Sequence, residues 1–144
     1  MACEDEVYTA ASQKIIKELK GWKIMPLICY DLRFPVWSRN VDLEYDLLIY
    51  IANWPDPRRN AWTTLLQARA IENLSYTIGV NRVGKDAKEL NYTGDSSIVD
   101  FKGNVLFHQL DEEVIHTHIL DKSEQDSFRE KFPVNMDADR FEIL

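Results

Sequence analysis

Gly21-Trp-Lys-Ile-Met-Pro-Leu-Ile-Cys29-Tyr-Asp-Leu-Arg-Phe-Pro35 is the stretch on which the reading of this chain turns. A short apolar run, Ile24 to Ile28, ends at a cysteine, and polar and charged residues follow at once. Such a run reads as a buried strand entering a tight turn, with Cys29 at its carboxyl end. Crevices outside strand carboxyl ends are where layered α/β proteins usually bind ligands. A cysteine there is a candidate nucleophile, because a rigid strand can aim its thiolate at a carbonyl. The plainer alternative is an apolar cysteine that only packs.

Outward from this strand the pattern continues. Lys14–Leu19, the dipeptide Lys20-Gly21 and Trp22–Ile28 read as a β-hairpin with a glycine-containing turn. Pro35 to Asn40 reads as a short helix with proline near its start. Tyr45–Ala52 is a near-continuous apolar run, suited to a strand covered on both faces, and it ends in the polar loop Asn53-Trp-Pro-Asp-Pro-Arg-Arg59. Asn60 to Ser75 carries the longest helical period, with Ala61, Leu65, Ala68 and Glu72 on one side; a helix this apolar packs on a sheet or on another subunit. Tyr76–Val80 reads as a third strand, again ending in a polar loop at Asn81-Arg82-Val83-Gly84.

Farther on, Lys85–Tyr92 reads as a mobile polar loop. Ser96–Asp100 and Asn104–His108 flank Phe101-Lys-Gly103 as a hairpin. Glu113–Leu120 alternates as a half-exposed strand does, which sets His116 and His118 on one face. Asp121–Glu124 looks like a helix start, with Phe128 and Phe132 on one face of that helix. The tail, Pro133 to Leu144, has no period and is expected to be pinned by Phe132, Phe141 and Leu144. Three strands therefore run into polar loops that can face one crevice.

Composition narrows the classes. With 144 residues, 45% hydrophobic and 28% charged, the chain suits one domain with a sizeable core. A net charge of −7 without a basic cluster argues against a nucleic-acid partner. No apolar run approaches a membrane span and no signal-peptide pattern stands at the start, so no membrane partner is expected. Cys3 and Cys29 are the only cysteines, which implies neither a disulfide framework nor a zinc site; no metal or cofactor is expected, and the setting is read as cytoplasmic.

Around Cys29, the neighbours Asp31 and Arg33 either pair to fix the turn or leave Arg33, a planar donor, to hold a carboxylate. The Tyr30 backbone N–H, directly after the nucleophile, is placed to donate to an oxyanion. A base is needed, and the three histidines, His108, His116 and His118, have no motif around them. A Cys–His pair is therefore the weakest reading, and the carboxylates Glu4 and Glu72 are the other candidates. Asn53-Trp54-Pro55 combines an amide, a large aromatic and a rigid turn at a strand end, either as pocket lining or as a loop anchor. Asn81-Arg82 has the same standing.

These residues together resemble the carbon–nitrogen hydrolase (nitrilase) superfamily. The resemblance rests on Ile28-Cys-Tyr-Asp-Leu-Arg-Phe-Pro35, on Tyr45-Asp-Leu-Leu-Ile-Tyr-Ile-Ala-Asn-Trp-Pro55 with Pro57-Arg58, and on Trp62, Leu65-Leu66 and Ala68-Arg-Ala-Ile-Glu-Asn73. It continues through Asn81-Arg-Val-Gly84, Gly94-Asp-Ser96 and Phe128-Arg-Glu-Lys-Phe-Pro133, nearly the whole chain in the family's order. The Asn-Trp-Pro and Asn-Arg-Val-Gly elements look most like the bacterial omega-amidase branch.

The resemblance implies an α+β fold, part of an α-β-β-α sandwich with a mixed sheet and flanking helices, in a protein that is usually oligomeric. It implies a Glu–Lys–Cys triad in which Cys29 attacks an amide carbonyl, forms a thioester and releases ammonia. Glu4, just before a Tyr-Thr-Ala segment, matches a second, supporting glutamate of the family. Cys3 and Ala11 stand where the family favours glycine. The triad lysine and glutamate match no position in residues 1–144, so the chain is expected to be a single partial domain, the C-terminal half of the family's fold.

Two functions are then carried forward. One is an amidase acting on a small ω-amido (2-oxo) acid, with Cys29, Tyr30 and Glu4 at the reaction centre and Arg33, Asn53, Trp54 and Arg82 in the pocket, inactive as the isolated chain. The other is a non-catalytic relative that acts by association, as a homo-oligomer or with a missing N-terminal half.

Overall fold

A computed structural model describes residues 6–9 and 12–139 of this chain. The first hairpin forms as its turn chemistry dictates. Strands β1 (Lys17–Leu19) and β2 (Trp22–Ile28) pair antiparallel across Lys20 and Gly21, both with left-handed φ (50° and 82°). Two consecutive left-handed residues give the turn whose twist matches that of the strands, and glycine carries the second at no steric cost.

After β2 the chain makes a 3₁₀ turn (Cys29–Arg33) and a short helix α1 (Pro35–Ser38), then returns as β3 (Leu47–Ala52). A second 3₁₀ turn (Asp56–Arg58) leads into the long helix α2 (Arg59–Asn73), followed by β4 (Tyr76–Asn81). β2, β3 and β4 run parallel in one register, so that Ile28, Ile51 and Val80 stand side by side. β5 (Val83–Lys85), β6 (Asn91–Val99) and β7 (Val105–Leu110) complete a mixed sheet of order β1-β2-β3-β4-β6-β5, with β7 also paired to β6. Helix α3 (Lys122–Lys131) begins at Asp121, whose side chain accepts the Glu124 N–H as an N-cap.

The two faces of the sheet are covered differently. α2 lies over the face carrying Met25, Leu27, Leu48, Tyr50 and Val99, and closes the larger core with Trp62, Leu66 and Ala70. The approach is tight at Gly79, where an added Cβ would come within 2.4 Å of Leu66 and 2.7 Å of Trp62. The buried stripe of α2 is therefore Trp62, Leu66, Ala70 and Asn73; Ala61, Leu65, Ala68 and Glu72, expected on one side, lie at its half-buried flank. The opposite face holds a smaller cluster of Leu47, Tyr76 and Phe101 against Phe128 of α3. Farther up that face Ile28, Ile51 and Val80 remain 72%, 60% and 48% exposed.

Two expectations need correction. Glu113–Leu120 alternates like a strand but joins no sheet; Ile115 and Ile119 are 100% and 91% exposed. Alternation alone forms no strand without a neighbouring ladder to bond, and the His116 ring instead stacks on Phe107 at 3.7 Å. Lys85–Tyr92 is no long loop either, since its ends enter β5 and β6 and the Asp86 carboxylate closes the turn on the Lys88 and Leu90 N–H groups. Phe132 is 54% exposed and covers little; Phe141 and Leu144 lie outside the described residues.

α3 is held by charge as well as by Phe128. Arg129 donates to the Leu74 carbonyl (3.0 Å), the Tyr45 carbonyl (2.9 Å) and the Asp46 carboxylate (2.8 Å), while Gln125 reaches the Asp46 and Leu74 carbonyls. Burial would raise the Asp46 pKa, but hydrogen bonds from the Lys23 N–H, Arg129 and Lys122 outweigh it and hold the carboxyl below its usual range. Arg129→Ala strips this buried acid of its main partner and is expected to lose about 3–5 kcal/mol in urea unfolding. Asp46 contributes stability above its unfolded pKa, and that contribution disappears as pH falls through its depressed folded value. The difference between the native chain and Asp46→Asn is accordingly largest at neutral pH and closes on acidification, as thermal melts at stepped pH will read.

Candidate active site

Cys29 sits at the end of β2 with φ +43°, in the left-handed region that a side-chain-bearing residue seldom adopts. Such a turn lifts the cysteine off the strand line, as the strained strand-to-helix elbow of α/β-hydrolases lifts a nucleophilic serine. Two contacts hold the strain. The Asp31 carboxylate accepts the Ile28 N–H at 2.9 Å, and Arg69 of α2, itself buried, donates to the Leu32 carbonyl at 2.7 Å. Asp31 thus closes the turn on the backbone; among the described residues it forms no ion pair with Arg33.

The loop that follows β3, Asn53 to Arg58, makes the opposite wall. A small cleft of about 50 Å³ is lined by Cys29, Tyr30, Arg33, Asn53, Trp54, Pro55 and Arg58. Trp54 is buried (4% exposed), its indole N–H donates to the Arg58 carbonyl at 2.8 Å, and its ring packs on Trp62. The Arg33 guanidinium lies over the Trp54 ring, 4.9 Å from its centroid, so one charged fork is held beside the cysteine turn. Tyr30 is exposed, with its ring edge-on to Phe34.

Five of the seven residues singled out in the sequence therefore meet here: Cys29, Tyr30, Arg33, Asn53 and Trp54. Glu4 lies outside the described residues. Arg82 does not join them. Its N–H is bound to the Ala52 carbonyl, which turns the chain away, and its guanidinium stacks over Tyr92 (4.7 Å) and donates to the Lys85 carbonyl. It lines a separate cavity of about 520 Å³ along β4 and β6 instead.

The alternative bases are engaged elsewhere. Glu72 pairs with Arg69 at 2.8 Å, and His108 meets the buried Asp95, which also takes two donors from Arg59. Asp95 itself stands at a bulge of β6 with φ +53°, which turns its side chain toward α2. No histidine, lysine or acidic side chain lines the Cys29 cleft among the described residues. Nor is any group of three His, Cys, Asp or Glu placed there to hold a metal ion.

Arg58, Arg69 and Asn81 support the site, and the first two drew no attention in the sequence as site residues. Arg58 and Arg69 fall within stretches noted above only for their pattern, whereas Asn81 was read with Arg82 as pocket lining or loop anchor, and it is as an anchor of the Trp54 loop that it stands here. Arg69 and Asn81 act on main-chain carbonyls 37 and 27 residues away, and Arg58 offers its own carbonyl to the Trp54 indole, which no local signal announces.

A cysteine on a left-handed strand-end turn, facing an Asn-Trp-Pro loop across parallel strand ends, defines an α+β hydrolase-type site on a mixed sheet. The chain belongs to the carbon–nitrogen hydrolase family, whose profile matches residues 3–127. It is 46% identical to an omega-amidase of Escherichia coli (strain K12) over 150 aligned residues, covering 99% of this chain and 56% of that protein. A 2-oxoglutaramate amidase of Bacillus subtilis (strain 168) is 39% identical over 127 residues, covering 88% of this chain and 49% of its own length. A crystal structure of a CN-hydrolase superfamily protein from Xanthomonas campestris, with an arsenic adduct in its active site, superposes with a TM-score of 0.93 at 42% identity over 98% of this chain and 56% of that one. The chain thus spans about half the length of the curated relatives it matches.

Arg69→Met keeps the buried stem but removes the donor to Leu32. It is expected to destabilise by about 1–3 kcal/mol and to speed amide exchange across Cys29–Phe34, leaving β6 unchanged. Hydrogen-exchange mass spectrometry reads both.

Proposed function

We propose that this chain carries the nucleophile side of an omega-amidase-type site, acting on the terminal amide of a small ω-amido (2-oxo) acid. The observation that carries the reading is the placing of Cys29, on its left-handed turn, in one cleft with Arg33 and the Asn53–Pro55 loop. Similarity to an omega-amidase and to a 2-oxoglutaramate amidase supplies the substrate class.

In this reading the Cys29 sulfur attacks the amide carbonyl carbon, and the Tyr30 backbone N–H donates to the oxyanion that forms. The proton given up by the Cys29 thiol passes to the amide nitrogen, the C–N bond breaks, and ammonia leaves. Water adds to the resulting thioester, the C–S bond breaks, and a carboxylate departs. Arg33, held over Trp54, binds the carboxylate at the substrate's other end, a task suited to its planar fork. Asn53 and Trp54 line the cleft around the amide.

The base and a cationic oxyanion donor come from a glutamate and a lysine outside residues 1–144, with Glu4 in support. Losing one oxyanion donor alone costs about 2.7–4 kcal/mol of transition-state stabilisation. The 144-residue chain by itself is therefore expected to release no ammonia. Joined to the segment of the E. coli relative that it does not span, it is expected to hydrolyse 2-oxoglutaramate, with loss of turnover in Cys29→Ala. Turnover by the chain alone, or a folded chimera whose turnover survives Cys29→Ala, contradicts the reading.

A second reading, in which the chain acts through association, draws on the exposed apolar row Ile28, Ile51 and Val80. It predicts a dimer or larger species in size-exclusion chromatography that Ile51→Lys shifts to monomer. A monomer with a cooperative melt counts against it.

A further inference from the structure

We propose that Asn81, at the end of β4, is a positioning residue for the Cys29 cleft: its buried carboxamide sets the Trp54 wall and, through it, the Arg33 guanidinium. Asn81 is 8% exposed and its side chain spends every bond on two distant backbones. Its oxygen accepts the Trp54 N–H at 2.7 Å, and its nitrogen donates to the Trp54 carbonyl at 2.9 Å and to the Gly94 carbonyl at 2.7 Å. Both main-chain polar groups of one loop residue are thereby tied to β4, and the same carboxamide ties them to β6.

The asparagine is itself held in register. Its N–H donates to the Ser96 hydroxyl, which donates back to the Asn81 carbonyl. The loop has a second anchor one step on, where the Asp56 carboxylate accepts the Thr93 N–H at 2.8 Å and the Asn91 amide. Between these anchors Trp54 cannot slide along its strand end. Arg33 rests on the ring so fixed, so the cation's place beside Cys29 follows from a residue that does not line the cleft.

Only an amide side chain does this work. It offers one acceptor to an N–H and two donors to carbonyls in one plane. A carboxylate of the same shape keeps the acceptor and turns repulsive toward both carbonyls. Alanine leaves the Trp54 N–H and two carbonyls without partners in a buried place, so the loop relaxes to find others.

The inference rests on the Cys29 cleft as the reactive site, and its test avoids turnover so that it stands or falls apart from amide hydrolysis. Alkylation of Cys29 in the 144-residue chain is followed by peptide mass spectrometry with iodoacetate, which is anionic, and iodoacetamide, which is neutral. The ratio of the two rates, divided by the same ratio for glutathione, reports the cation at the cleft. In the native chain this normalised ratio is expected to exceed one by roughly fivefold, the size of one partly screened charge a few ångströms away. Asn81→Ala and Arg33→Ala are each expected to lower it to the same value, that left by Arg58 alone, and the double variant to bring no further fall, because both act on the same contact.

Asn81→Asp, read in the same way, falls between native and alanine and stands in if the alanine variant does not fold. A native ratio in either folded Asn81 variant, accompanied only by a lower melting temperature, overturns the proposal and leaves Asn81 as a structural strut. A normalised ratio of one in the native chain overturns it as well.

Discussion

Two parallel pairings, β2 with β3 and β3 with β4, decide where the chemistry of this chain can lie. Parallel strands require a crossover between them, and here the crossovers are the α1 segment and the long helix α2. Because the register is shared, the carboxyl ends of all three strands reach the same edge, and the residues that follow each strand are forced together. Cys29, Asn53 and Asn81 come from three separate stretches of sequence. Their common edge is a consequence of the ladder. α2 packs close on the ladder at Gly79, where no side chain but hydrogen fits beneath Leu66 and Trp62.

At that edge, strain and its restraint are separable. The left-handed Cys29 is an expensive conformation, which persists only where the surroundings over-determine it. Asp31 fixes the turn locally and Arg69 fixes it from α2, so the elbow belongs to the sheet–helix core rather than to a loose loop. The opposite wall is set by bonds of the same type, from Asn81 and Asp56 to main-chain atoms. Buried polar groups that pair fully in this way rigidify what they touch. A cleft built so can hold Arg33 over Trp54 without any residue of the cleft itself being buried charge.

Much of this was legible in the sequence wherever a signal is local. The Lys20-Gly21 turn, the apolar run of β3, the Asp121 cap and the hairpin at Phe101–Gly103 each depend on a few neighbouring residues, and each stands where its pattern put it. The strand-end cluster was legible because three apolar runs each stopped at a polar loop. Glu113–Leu120 misled for the converse reason. Its alternation is that of a strand, but a strand also needs a ladder partner, and none lies beside it among the described residues. Arg82 misled because adjacency to Asn81 says nothing of the side on which successive side chains emerge. Arg69 was unreadable as a site residue because it acts on a backbone carbonyl brought near only by folding, and Asn81 was readable only as a strand-end residue of either role, since its partners are distant backbones.

The most direct measurement is capture of the acyl group on Cys29. The chain, joined to the relative's remaining segment and turning over 2-oxoglutaramate, is quenched in acid and its peptides are weighed. The account predicts the acyl mass on the peptide containing Cys29, removed by hydroxylamine as a thioester is. Turnover with no such adduct, or with an adduct on any other residue, would contradict it.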